Sequence, residues 1–168
     1  MEVGSDKLLD GKQVAGEIET ELEKEVAQLK EAGVTPTLAV VLAGNDSASQ
    51  VYVSYKEKAC ARAGIESRVV DLPDEIEKEE LLAEVDKLNS DPEVDGILVQ
   101  LPLPDSIEDE EEIIKAVDPA KDVDGFHPEN VGELTIHGTE LAPCTPKGIM
   151  ELLERYNIDL EGKDAGVI

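Results

Sequence analysis

Two kinds of apolar pattern alternate along this chain, and the alternation constrains its fold more than any other feature. Residues 37–43 and 96–101 are short, nearly continuous apolar runs, the pattern of strands buried on both faces. Elsewhere the apolar residues return every three or four positions. Val14, Ile18, Leu22, Val26 and Leu29 form such a stripe on a helix over 10–30, with Gly33 just past its end. A loop at Gly44-Asn45-Asp46 leads to a helix from about Ser47 or Ser49 to Ala63, stopped by Gly64. A strand over 65–72, a helix over 78–89 and a short acidic helix over 108–117 complete the alternation, and Pro102-Leu103-Pro104 keeps the strand at 96–101 from continuing. Strands separated by helices of this length need right-handed crossovers, so the expected class is α/β, a three-layer α/β/α domain with a mostly parallel sheet. From Pro119 the chain reads as loop until Thr145, which is expected to cap a helix with Pro146 in its first position. That helix should reach about Tyr156 and turn Ile149, Leu152 and Leu153 inward.

The 168 residues carry 40 acidic and 15 basic side chains, a formal charge of −25, which argues against nucleic acid or an anionic membrane as the main partner. No uncharged stretch approaches the roughly 20 residues needed to cross a bilayer. Aromatic residues make up only 2%, so the core must be built from Val, Ile, Leu and Ala. Carboxylates concentrate on helical segments such as 17–25 and 75–84, which reads as a solvated acidic coat and suggests a halophilic protein. Two cysteines, Cys60 and Cys144, and no basic-then-apolar leader suggest a reduced, cytoplasmic protein. Residues 162–168 read as a turn entering a buried strand without a sequel. Two units are therefore expected, one domain over 1–158 and, over 159–168, the start of a second domain that is cut short.

Three places could carry chemistry. On the helix after Gly44, the positions Ser49, Tyr52, Val53, Lys56, Ala59, Cys60 and Ala63 share one face, while Gln50, Ser54, Glu57, Lys58 and Ala61 take the water side. A lysine on the inward stripe loses hydration and becomes a general acid/base candidate, unless its stem only lies along the surface and its amine reaches solvent. Gln100 sits alone at the carboxyl end of an apolar strand, the end where open parallel sheets bind ligands. Its amide must bond to something, either a neighbouring loop or another side chain such as Lys56. Finally, Asp122 and Asp124 lie in the Gly- and Pro-bounded segment 121–128, where they could cap, bind a cation or receive ligand N–H groups. The oxygen ligands of a calcium loop are missing there, and no metal is expected. His127 and His137 fall in the expected loop and read as structural. Cys144 could be a thiolate at a helix N-terminus, but helix capping by Thr145-Pro146 already accounts for its motif.

Four segments taken together carry a resemblance: Ser49-Gln50-Val51-Tyr52-Val53-Ser54-Tyr55-Lys56-Glu57-Lys58-Ala59-Cys60, then Asp95-Gly96-Ile97-Leu98-Val99-Gln100-Leu101-Pro102-Leu103-Pro104, then Lys121-Asp122-Val123-Asp124-Gly125-Phe126-His127-Pro128, then Pro143-Cys144-Thr145-Pro146-Lys147-Gly148. In this order they resemble the bifunctional methylenetetrahydrofolate dehydrogenase/methenyltetrahydrofolate cyclohydrolase family. The resemblance implies a folate-binding catalytic domain, normally followed by a Rossmann domain that holds NADP. It implies oxidation of 5,10-methylenetetrahydrofolate to the methenyl form and hydrolysis of that to 10-formyltetrahydrofolate, by a homodimer with no metal. The site residues implied are Lys56, Gln100 and Tyr52 for catalysis, with Tyr52, Ser49, Asp124 and Gln100 binding substrate. Lys56 would be the central acid/base, Tyr52 a ring stacked on the folate, Gln100 the group that positions Lys56, and Asp124 the grip on the pterin's amino edge. Two other readings compete: an acidic, non-catalytic interaction module, and the substrate domain of another NAD-dependent dehydrogenase in which Lys56 polarises a carbonyl.

Overall fold

The structure, a computed structural model, describes residues 8–139, 141–164 and 166. Of the turn and strand expected over 162–168, residues 165, 167 and 168 lie outside these. Among the described residues the order is α1 (Gly11–Glu31), β1 (Thr37–Ala43), α2 (Ser47–Ala63), β2 (Glu66–Leu72), α3 (Lys78–Ser90), β3 (Gly96–Val99), α4 (Glu110–Ala116), α5 (Pro128–His137) and α6 (Cys144–Arg155). The α/β class and the parallel sheet stand as expected. The strands lie in the order β2-β1-β3, with Val40 opposite both Val69 and Leu98.

Side chains alternate across a strand, so β1 feeds two cores. Ala39, Val41 and Ala43 pack with Ile97 and Val99 against Leu81 and Val85 of α3 and Ile113 of α4. Val40 and Leu42 pack with Leu98 against Val53 of α2 on the other face. Helices thus cover both faces, and the three strands deliver their carboxyl ends to one edge. Both ends of α2 are set by local chemistry: Asp46 accepts the Ser49 N–H at 2.6 Å, and Gly64 closes the helix in the left-handed region at φ 81°.

The structure corrects the reading between 119 and 145. Residues 128–137 form α5, with His127 as its N-cap and His137 in its last turn, so His137 is helical and not in a loop. The Pro128 that suggested a loop sits in the first turn of α5, where a missing N–H costs nothing. Helix α6 begins at Cys144 behind Pro143, and no side chain caps it, so Thr145 is not the cap. Of the three residues expected to turn inward on α6, Leu152 and Leu153 are half-buried but Ile149 is 54% exposed, and none of the described residues of α6 is fully buried. The stripe on α1 is likewise thin, with Val14 and Val26 buried but Leu22 and Leu29 exposed.

Candidate functional site

The parallel strands end beside the first turns of α2, and the site forms there. Gln100, the residue after β3, is pinned by its own N–H to the Val41 carbonyl at 2.9 Å. Its side-chain Nε2 donates to the Leu101 carbonyl at 2.7 Å, and its Oε1 accepts from Lys56 Nζ at 2.9 Å. The amide therefore does both of the things left open by the sequence. Because its NH2 is engaged by a carbonyl, its oxygen is left to face the amine, and the amide has only one satisfying orientation. Lys56, half-buried on α2, is brought into the cleft and does not lie along the surface. One turn earlier Tyr52 stands 62% exposed with its ring against the same cleft. Ser49 is buried at the start of α2, and its hydroxyl donates to the Leu101 carbonyl at 3.4 Å. Ser49 is not among the side chains lining the cleft. It meets the site through Leu101, the carbonyl that also fixes Gln100.

The opposite rim is the segment 121–126. Its backbone runs beside β3, with the Ile97 N–H donating to the Lys121 carbonyl at 2.7 Å. Gly96 has no Cβ because one would lie 2.5 Å from Val123 Cγ1, so glycine permits this approach. Lys121 Nζ donates to the carbonyls of Leu88, Asn89 and Asp91 at 3.2, 2.8 and 2.8 Å, covering the C-terminal end of α3. Asp122 is buried and accepts from Gly125 N at 3.1 Å, His127 N at 2.8 Å and Asn130 Nδ2 at 2.9 Å. Of the two carboxylates, one is thus consumed in holding the loop and the start of α5, and Asp124 is left to face the cleft. Spacing alone could not divide these roles, because it does not say which acid the turn folds inward.

Asp124 lines the cleft with Tyr52, Lys56, Gln100, Phe126 and the first residues of α6, around roughly 1010 Å3 of empty space open to solvent. Burial raises the pKa of its carboxyl, more than the charge of Lys56 lowers it. Cys144 reaches Asp124 Oδ1 at 3.7 Å and the Val123 carbonyl at 3.9 Å. Its thiol is pushed up by burial and then by the neighbouring carboxylate, opposite to what a nucleophilic cysteine needs. Phe126, an exposed aromatic beside Asp124, was not singled out in the sequence. Among the described residues no cluster of three or more His, Cys, Asp or Glu could hold a metal ion, and no helix is long and apolar enough to cross a membrane.

Residues 9–124 match the family of the tetrahydrofolate dehydrogenase/cyclohydrolase catalytic domain. Bifunctional protein FolD of Staphylococcus haemolyticus is 51% identical over 162 residues, covering 96% of this chain and 56% of that protein. The crystal structure of the bifunctional enzyme FolD-methylenetetrahydrofolate dehydrogenase/cyclohydrolase from Campylobacter jejuni is similar at a TM-score of 0.91 and 50% identity, over 94% of this chain and 56% of that one. A Trypanosoma brucei methylenetetrahydrofolate dehydrogenase-cyclohydrolase, solved with NADP cofactor and an inhibitor, is similar at 0.86 and 39%, over 92% and 53%. The chain spans about half the length of the curated relatives it matches. The matched segment holds Ser49, Tyr52, Lys56 and Gln100 and closes on Asp124, and the chain belongs to the tetrahydrofolate dehydrogenase/cyclohydrolase catalytic-domain family.

Proposed function

We propose that this chain provides the folate side of a bifunctional enzyme that oxidises 5,10-methylenetetrahydrofolate with NADP and hydrolyses the resulting methenyl bridge to 10-formyltetrahydrofolate. The observation that carries the reading is the 2.9 Å bond from Lys56 Nζ to Gln100 Oε1, made in a cleft that also holds Asp124 and Tyr52. Gln100 can only accept from the amine, so it orients Nζ without exchanging a proton with it. Lys56 then holds or moves a proton beside the reacting carbon as water adds to the bridge and the ring opens. Asp124 suits the amino edge of a pterin, since a carboxylate can take two parallel N–H bonds from it. The exposed ring of Tyr52 offers a flat apolar surface for a heterocycle to lie on. Ser49 acts behind the site, holding the Leu101 carbonyl to which the Gln100 amide is tied.

NADP, when bound, takes up the hydride. The residues of this chain do not fit it: neither a G-x-G-x-x-G turn nor a G-x-x-x-x-G-K-[ST] loop occurs in the sequence, and no glycine-rich turn among the described residues joins a strand to a helix so as to cradle a pyrophosphate. The chemistry assigned to these residues is accordingly that of the folate. The division into a catalytic domain over 1–158 and a second domain from 159, the homodimer and the cytoplasmic location belong to the same proposal, and the resemblance supports them.

The test follows the absorbance decay of methenyltetrahydrofolate with the wild-type chain and with Lys56→Met. Wild type should accelerate the decay, and the variant should lose the acceleration by about 100-fold or more, the scale of a positioned acid/base group, while still binding folate in a titration. Turnover by Lys56→Met at the wild-type rate would overturn the assignment.

A further inference from the structure

Two helices wall the cleft, and both are tied to the acidic helix α1 by an arginine. Arg62, near the end of α2, holds the Glu19 carboxylate through Nε at 2.7 Å and Nη2 at 2.6 Å. Arg155, the last residue of α6, holds the Glu21 carboxylate through Nη1 at 2.9 Å and Nη2 at 2.6 Å. Arg155 also holds Glu151 through Nε at 2.6 Å and lies 3.9 Å from Glu17. Beside it, the Tyr156 hydroxyl accepts the backbone N–H of Asp10, the N-cap of α1, at 2.9 Å. The two ties differ in what stands behind them. Helix α2 also buries Ser49, Val53, Cys60 and Ala63, and Arg62 is 56% exposed. Helix α6 has no fully buried residue, only the half-buried Leu152 and Leu153, and the Arg155 side chain is only 25% exposed. The start of α6 rests where Gly125 comes close: a Cβ there would lie 3.2–3.5 Å from the backbone of Ala142 and Pro143. The helix is thus a lever, seated at its first turn where Gly125 meets bare backbone and held at its far end by the ion pairs of Arg155, by the Tyr156 hydroxyl and by the half-buried Leu152 and Leu153.

We infer that Arg155 is a positioning residue for the cleft: by fastening the far end of α6 to Glu21 and Glu17, it sets how Cys144, Thr145 and Pro146 face Lys56 and Asp124. Since the Arg155 part of the fastening is ionic, salt loosens it. Exposed single pairs contribute little, but a two-bond guanidinium–carboxylate contact shared with further acids is the kind that does. Salt also relieves the repulsion within a chain of net charge −25, so overall stability and the set of this wall respond to it in different senses.

The wall has a built-in reporter. Cys60 is buried, whereas Cys144 is exposed at the start of α6 with its Sγ 3.7 Å from Asp124 Oδ1, so a neutral alkylating reagent such as iodoacetamide reads Cys144 in the folded chain at a rate that contact with this carboxylate holds down. Arg155→Ala should label about fivefold faster than wild type at low salt, or about 1 kcal/mol at 1.4 kcal/mol per factor of ten. Arg155→Lys should recover part of the protection. Arg62→Ala removes the same charge from a tie to the same helix and should label as wild type does. Molar KCl should speed labelling of wild type and of Arg62→Ala but add little to Arg155→Ala. In methenyltetrahydrofolate hydrolysis, Arg155→Ala should raise KM with kcat little changed. That last readout rests on the proposed function, whereas the labelling does not, so failure of the folate chemistry leaves the labelling result standing. Equal labelling of Arg155→Ala and wild type, or equal acceleration by Arg62→Ala, would overturn the inference.

Discussion

The two walls of the cleft, α2 and α6, solve the same problem by opposite means. Helix α2 presents Tyr52 and Lys56 from a scaffold with Val53 seated on Val40, Leu42 and Leu98 of the sheet and with its first turn bonded to Leu101. Helix α6 presents Cys144, Thr145 and Pro146 from a scaffold with no fully buried side chain, only the half-buried Leu152 and Leu153. Apolar burial is short-ranged and insensitive to salt screening, so it suits the wall that must hold a proton-transferring amine against a fixed amide. Charge contacts are weaker, and they suit a wall whose placement can shift with conditions. On this contrast the domain should be rigid at Lys56 and adjustable at the facing wall.

The largest expected effect comes from removing what both walls share, the segment 121–126 between them. Asp122→Ala leaves the N–H groups of Gly125 and His127 and the Asn130 amide without their buried acceptor, and should cost on the order of 3 kcal/mol. Urea unfolding measures it. A loss within a few tenths of a kcal/mol would mean that the segment is held by its neighbours, and the comparison would need a different pivot. Next in size is the direct contrast. Val53→Ala should cost about 2 kcal/mol through lost burial and the cavity left behind, whereas Ile149→Ala, on an exposed face of α6, should cost less than about 0.5 kcal/mol. Equal losses in thermal melts would show that α6 buries its apolar face in solution and would erase the difference between the walls.

How much of this was legible in the sequence follows the same division. The seam of α2 could be read because burial writes a period: Ser49, Val53, Lys56, Cys60 and Ala63 recur at helical spacing, and the apolar runs of β1 and β3 announce where they end. The pairing of Lys56 with Gln100 was one of two readings, because an amide at a sheet edge must bond but sequence does not say to what. The rim was not legible in the same way. Pro128 and Gly125 look like loop punctuation, yet one opens α5 and the other allows the close approach to Pro143. Ion pairs leave no period at all. Glu19 and Glu21 read as part of an acidic coat, and only their distances to Arg62 and Arg155, residues 43 and 134 positions away, turn them into ties.

The smallest effect tests the space between the walls. Burial raises the pKa of Asp124 and the charge of Lys56 only partly offsets it, so the native state keeps this proton to a higher pH than the unfolded chain does. Between the ordinary carboxylate value and the raised one, the native state binds more protons, and stability falls as pH rises through that window. Asp124→Asn removes the penalty: its Tm should exceed that of wild type at neutral pH, and the difference should shrink as the medium is acidified from the raised value to the ordinary carboxylate value and be gone below it. A difference constant with pH would mean that the carboxyl stays hydrated. The origin of the shift then sharpens the comparison. If α6 is what keeps water from Asp124, the pH-dependent part of the difference should diminish in an Arg155→Ala background and persist in Arg62→Ala, because only the first of these frees the wall that has no buried seam to hold it.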